Sequence, residues 1–166
     1  MSLGKSPENR IFLGIDPGLA DMGYGLICEE AGQLKMLAYG SIKTAKGEEP
    51  AKRLLFLEHQ LLEIISQFKP NFAGIEQLFF GRNITTAISI GQARGVALLV
   101  LAKNNLPIKE FTPLQVKQAV TGYGQADKKQ VQQMVKTILK LKEIPRPDDA
   151  ADALAIAICL SSCCRF

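Results

Sequence analysis

The sequence predicts an α/β domain in which a five-stranded mixed sheet is flanked by helices. Three observations carry this expectation. Two short apolar runs, at residues 11–15 and 72–75, each end on an acid, Asp16 and Glu76, as a buried strand does when it delivers a carboxylate to a surface. The first three apolar runs follow one another with only turn residues between them, which makes an antiparallel meander. Beyond residue 50, segments with helical spacing alternate with the remaining strands, the pattern of helices laid on a sheet.

The elements follow in order. Residues 1–9, with Ser2, Gly4, Ser6 and Pro7, read as a flexible leader, and residues 10–166 as a single domain with enough apolar content, 47%, to bury a core. Residues 11–16 form the first strand, closed by Pro17-Gly18. Residues 23–27 and 37–42 are the next two, joined by a turn at 30–33. Pro50 opens an amphipathic helix to residue 68, in which Leu54, Leu57, Leu61, Ile64 and Ile65 share a face. Lys69-Pro70-Asn71 stops it, and residues 72–76 form the fourth strand. A helix over 85–103 contains Gly91, Ala93, Gly95 and Ala97, small residues that let another backbone come close, either the sheet or a second subunit. Residues 107–111 are the last strand. Thr112-Pro113 starts a short helix containing Lys117, broken at Gly122-Tyr123-Gly124. Asp127 caps the next helix, with Gln130 placed for a near capping box. The final helix carries Asp149 and Asp152 on one face of its first turns, with Asp148 as N-cap.

Charge is unevenly spread. Residues 82–142 hold ten basic side chains and two acids, a block of +8, so the rest of the chain is −4 for a total of +4. A polyanionic partner beside an acidic metal site suits that asymmetry, and so does an ordinary solvated helix face. No apolar run reaches the roughly 18 residues of a membrane span, and a cytoplasmic location is expected. Cys28, Cys159, Cys163 and Cys164 lack Cys-x-x-Cys spacing and read as reduced, mostly buried thiols. His59, the sole histidine, reads as a helix-surface residue.

The chemistry is in the acids. If the ends of the first and fourth strands meet the head of the last helix, Asp16, Glu76, Asp149 and Asp152 share one pocket. Four close carboxylates repel and would partly protonate unless cations joined them. Two Mg²⁺ ions would balance the charge, because oxygen donors without His or Cys favour Mg²⁺ or Mn²⁺ over zinc. Such a pair fits phosphodiester hydrolysis.

Gly14-Ile15-Asp16-Pro17-Gly18, Gly23-Tyr24-Gly25, Ile75-Glu76-Gln77 with Phe79, Gly91-Gln92-Ala93-Arg94-Gly95 and Asp149-Ala150-Ala151-Asp152-Ala153-Leu154-Ala155 together resemble the RuvC family of bacterial Holliday-junction resolvases, over residues 10 to 160. The resemblance implies a ribonuclease-H-like fold and a cytoplasmic homodimer that makes paired symmetric, Mg²⁺-dependent nicks in four-way junction DNA, in company with a branch-migration helicase complex. It implies that Asp16, Glu76, Asp149 and Asp152 are catalytic metal ligands, with two Mg²⁺ per site and Mn²⁺ as a substitute. Lys117 and Lys128 would contact DNA, and Phe79 would stack on a base at the crossover, although Phe79 and Phe80 also suit a core. Some relatives carry His at position 149, where this chain has Asp. Asp148 has no counterpart in the motif.

Rival readings are an actin-like or sugar-kinase ATPase, for which the chain is short and lacks a second phosphate loop, a YqgF-like RNA-processing nuclease, and a non-catalytic junction-binding protein. The complete acid set favours an enzyme.

Overall fold

The structure is a computed structural model that describes residues 9–77 and 84–164. Residues 1–8, most of the expected leader, lie outside these, as do Phe79, Phe80 and Arg82. Among the described residues, five strands form one sheet in the order β3-β2-β1-β4-β5, with β1 (Arg10–Asp16), β2 (Asp21–Glu30), β3 (Gln33–Lys43), β4 (Phe72–Glu76) and β5 (Ile108–Phe111). The meander β1-β2-β3 is antiparallel, and β4 and β5 run parallel to β1, so the sheet is mixed as expected. β2 and β3 extend further than their apolar runs. They continue through Glu29, Glu30 and Lys35 to a two-residue turn at Ala31-Gly32, where both residues have positive φ, the geometry that matches strand twist in tight hairpins.

Among the described residues, five helices cover both faces: α1 (Pro50–Phe68), α2 (Ile84–Lys103), α3 (Pro113–Thr121), α4 (Lys128–Ile138) and α5 (Asp148–Cys163). α1 and α2 close one face over Leu13, Ile15, Met22, Leu26 and Ile75. The opposite face packs on α5, which α3 and α4 cover in turn, around Phe12, Ile27, Leu154 and Ile156. α5 is buried on almost every side from Ala150 to Ser161, Asp152 excepted, which explains a helix apolar all round. Thr112 and Asp127 both form complete capping boxes, with Gln115 and Gln130.

Two expectations are corrected. Asp148 is not the N-cap of α5. Pro147 holds that position without a side-chain cap, and the Asp148 carboxylate turns away to Gln132 and two cations. In addition, α2 is long and apolar enough to span a membrane by length and composition. Its Ala87, Ala93, Ala97, Val100 and Leu101 are buried in the domain, whereas Ile84, Ile88 and Leu99 are exposed, so the apolar content divides between the core and an outer face. The small residues of α2 divide between two roles. Ala93 and Ala97 pack inward, whereas a side chain at Gly95 would meet open space. Cys28 and Cys159 are buried, Cys163 is exposed, and all four thiols are free; His59 is exposed on α1.

Candidate active site

β1 and β4 are parallel neighbours with Ile15 opposite Ile75, so they end together and place Asp16 and Glu76 side by side at one edge. The C-terminal edge of parallel strands is where open α/β sheets keep their ligand sites. α5 crosses the same edge in direct backbone contact with β1 and β2. A methyl group on Gly14 would lie 2.6 Å from the Ala157 backbone nitrogen, and one on Gly23 would lie 2.5 Å from the Asp149 carbonyl carbon. Only glycine permits that approach. Gly14 and Gly23 thus lower the helix onto the strand that carries Asp16.

The outcome is a carboxylate cluster. One oxygen from each of Asp16, Asp149 and Asp152 lies within 4.8 Å of the others. Glu76 stands outside this trio but close enough for its charge to act on Asp16. Burial, reinforced by Glu76, Asp152 and Asp149, pushes the Asp16 carboxyl up to about 8. Burial, and then the Asp152 charge, likewise raises Glu76, against the pull of Lys117 and Lys128. Burial raises Asp152, opposed by its ion pair with Lys128. Burial and then Asp21 raise Asp149. Without added cations Asp16 therefore keeps its proton at neutral pH.

Lys128 supplies the nearest positive charge. Its Nζ lies 3.2 Å from Asp152 and 3.4 Å from Asp148. Desolvation works against Asp148, yet a hydrogen bond from Gln132 Nε2 at 3.1 Å and the Lys128 and Arg146 charges hold its carboxyl below the usual range. Gln132 is itself buried, so an internal amide is committed to this acid. Lys117 and Lys128 line one cleft with Glu76 and Asp152. Phe79 lies outside the described residues.

Several residues that position the site carry no legible signal of their own in the chain. Arg94, inside the Gly91–Gly95 motif, donates from Nε to the Glu76 carbonyl at 3.1 Å and pairs with Glu110 on β5, which fixes the end of β4. Its place in the motif was the available hint. Asp21, Gln132 and Asp148 act through partners distant in sequence.

The family model for "Crossover junction endodeoxyribonuclease RuvC" matches residues 12–160. The chain belongs to the RuvC family. Proteins of that description from Desulfitobacterium hafniense (strain DSM 10664 / DCB-2) and Moorella thermoacetica are 56% and 51% identical to it; the matches cover 90% of both chains in the first case, and 92% of this chain and 91% of the relative in the second. The structure is similar to that of Thermus thermophilus RuvC in complex with a Holliday junction substrate, with a TM-score of 0.87 and 36% identity over 92% of this chain and 93% of that one. The fold is accordingly ribonuclease-H-like, as the motifs implied, and the RuvC match decides against the YqgF-like branch.

Proposed function

We propose that the protein is a bacterial cytoplasmic endonuclease that resolves four-way DNA junctions by paired symmetric nicks. The observation that carries this reading is the convergence of Asp16, Asp149 and Asp152, with Glu76 beside them, at the sheet edge of a RuvC-family chain. The donor set is all oxygen, and Asp16, raised first by burial and then by the neighbouring Glu76, Asp152 and Asp149 charges, is a group that a cation would relieve, which supports hard divalent cations as the fitting ligands. Asp16, Glu76, Asp149 and Asp152 would hold two Mg²⁺ ions, or Mn²⁺ in their place. When bound, the metal supplies an activated water and charge neutralisation at the phosphate being cut.

The chain's own residues do the rest. Lys117 and Lys128, on the wall shared with Glu76 and Asp152, neutralise phosphates entering from the α3–α4 side. Lys128 also holds Asp152 in place before substrate arrives. Arg94 fixes the backbone that carries Glu76. Phe79 stacks on a base at the crossover. Paired cuts need two sites, and the outer face of α2 offers a surface for a second copy: Ile84, Ile88 and Leu99 are 74%, 58% and 52% exposed, on the side where Gly95 meets open space. A branch-migration helicase would deliver the junction.

The test is cleavage of a synthetic four-way junction, a linear duplex, single-stranded DNA and an RNA duplex, with and without Mg²⁺, alongside Asp16→Asn. Paired nicks confined to the junction, dependent on metal and absent in the variant, are expected. Binding without cutting would remove the catalytic reading, and preferential RNA cleavage would remove the junction reading.

A further inference from the structure

The acid cluster forms a divide between two clefts that share no lining residue. Glu76 and Asp152 face the cleft of Lys117 and Lys128. Asp16 and Asp149 face another, of about 540 Å³, which Lys46, Arg53 and Thr85 also line. Each side of the carboxylates therefore has its own pair of cations.

Arg53 is held in a defined pose. Its Nε donates to Thr44 Oγ1 at 2.8 Å, the Thr44 hydroxyl donates to the Leu19 carbonyl at 2.5 Å, and the Thr44 N–H donates to the Ala20 carbonyl at 3.0 Å. Leu19 and Ala20 belong to the turn that follows Asp16, so the guanidinium is tied to the loop leaving the catalytic strand. Nearby cations have carboxylate partners: Lys43 lies 4.0 Å from Asp21 and Lys52 lies 3.5 Å from Glu48. Among the described residues, neither Arg53 nor Lys46 has a carboxylate within ion-pairing distance. A half-buried guanidinium with Nε engaged and both terminal nitrogens left over presents the two-pronged donor that phosphate oxygens accept.

We propose that Arg53, assisted by Lys46, binds a phosphate of the cut strand next to the one held at the carboxylates, so that the strand runs from this cleft across the acids to Lys117 and Lys128. This assignment rests on the nuclease reading above. A strand held on one side alone can pivot about the reacting phosphate, whereas a second anchor fixes its direction and with it the line of attack. Arg53 is thus a substrate-positioning residue.

The experiment measures junction binding, without divalent metal, across a salt series for wild type, Arg53→Ala, Arg53→Lys and Lys46→Ala. Loss of one phosphate contact lowers the log–log salt slope by about 1. The slope is expected to fall in Arg53→Ala and Lys46→Ala and to be retained in Arg53→Lys. Junctions carrying a single methylphosphonate at successive positions beside the cut then locate the contact. One such neutral linkage should weaken wild type by about 10-fold and Arg53→Ala clearly less, since a charge-assisted hydrogen bond is of that size and only the Lys46 contact remains in the variant. Because Lys46 is exposed, Lys46→Ala and Arg53→Lys keep the test open if Arg53→Ala fails to fold. Unchanged slopes, or methylphosphonate effects equal in wild type and Arg53→Ala, would overturn the assignment. Wild type that neither binds nor cuts junctions would overturn the nuclease reading instead.

Discussion

Asp16→Asn should destroy cutting and, at the same time, stabilise the metal-free protein. The carboxyl is raised from 3.8 to about 8 by burial and by three neighbouring carboxylates. Between those values the folded protein keeps a proton that the unfolded chain releases, so this group makes stability fall as pH rises through the interval and level off above about pH 8. At pH 7 the cost approaches about 4 kcal/mol, at 1.36 kcal/mol for each tenfold difference in proton affinity. Asparagine has nearly the same shape and no proton to lose. With local relaxation absorbing part of the strain, the variant should gain about 2–4 kcal/mol at pH 7, which for a domain of this size raises Tm by about 5–15 °C. The assay is thermal unfolding of both proteins in EDTA from pH 4 to 9. Near pH 4 the two should coincide, and the gap should widen with pH. Added Mg²⁺ should then stabilise wild type more than the variant. A variant less stable than wild type throughout the range would refute the claim that repulsion and burial at Asp16 destabilise the empty cluster.

Other consequences concern the supports of the site. Gly23→Ala places a methyl against the Asp149 backbone and should cost about 1–3 kcal/mol in urea unfolding, as overpacking does, while weakening Mn²⁺ binding measured by calorimetry; unchanged metal affinity would count against direct seating. Arg94→Ala removes the hydrogen bond to the Glu76 carbonyl and the Glu110 pair, and should lower kcat for junction cleavage more than it raises KM. Gln132→Leu leaves Asp148 without its buried donor and should destabilise by about 1–3 kcal/mol, read by chemical denaturation. Lys128→Ala should reduce the salt slope of junction binding by about 1; an unchanged slope would remove Lys128 from the DNA path.

The chain displays its acids openly because backbone pattern alone announces them: an apolar run that stops on Asp16 or Glu76 needs no partner to be read as a strand end. The antiparallel meander, the helix start at Thr112-Pro113 and the cap at Asp127 were legible for the same reason, being local in sequence. What stayed hidden depends on pairs far apart. Arg94 meets Glu76 across 18 residues and Gln132 meets Asp148 across 16, and no periodicity encodes either. The cap expected at Asp148 failed because stronger tertiary partners, Gln132, Lys128 and Arg146, claimed the carboxylate. The apolar character of α2 is less legible in the chain because Arg94 and the glycines break it into short runs.

The contact of α5 with β1 and β2 at Gly14 and Gly23 acts as a ruler with no adjustable part. Spacings set by interlocked side chains drift as those side chains are exchanged over generations, but backbone set on backbone leaves nothing to exchange. The gap between Asp16 and the pair on α5 is therefore set by main chain at Gly14 and Gly23, not by the side chains that fill the α1–α2 half of the core.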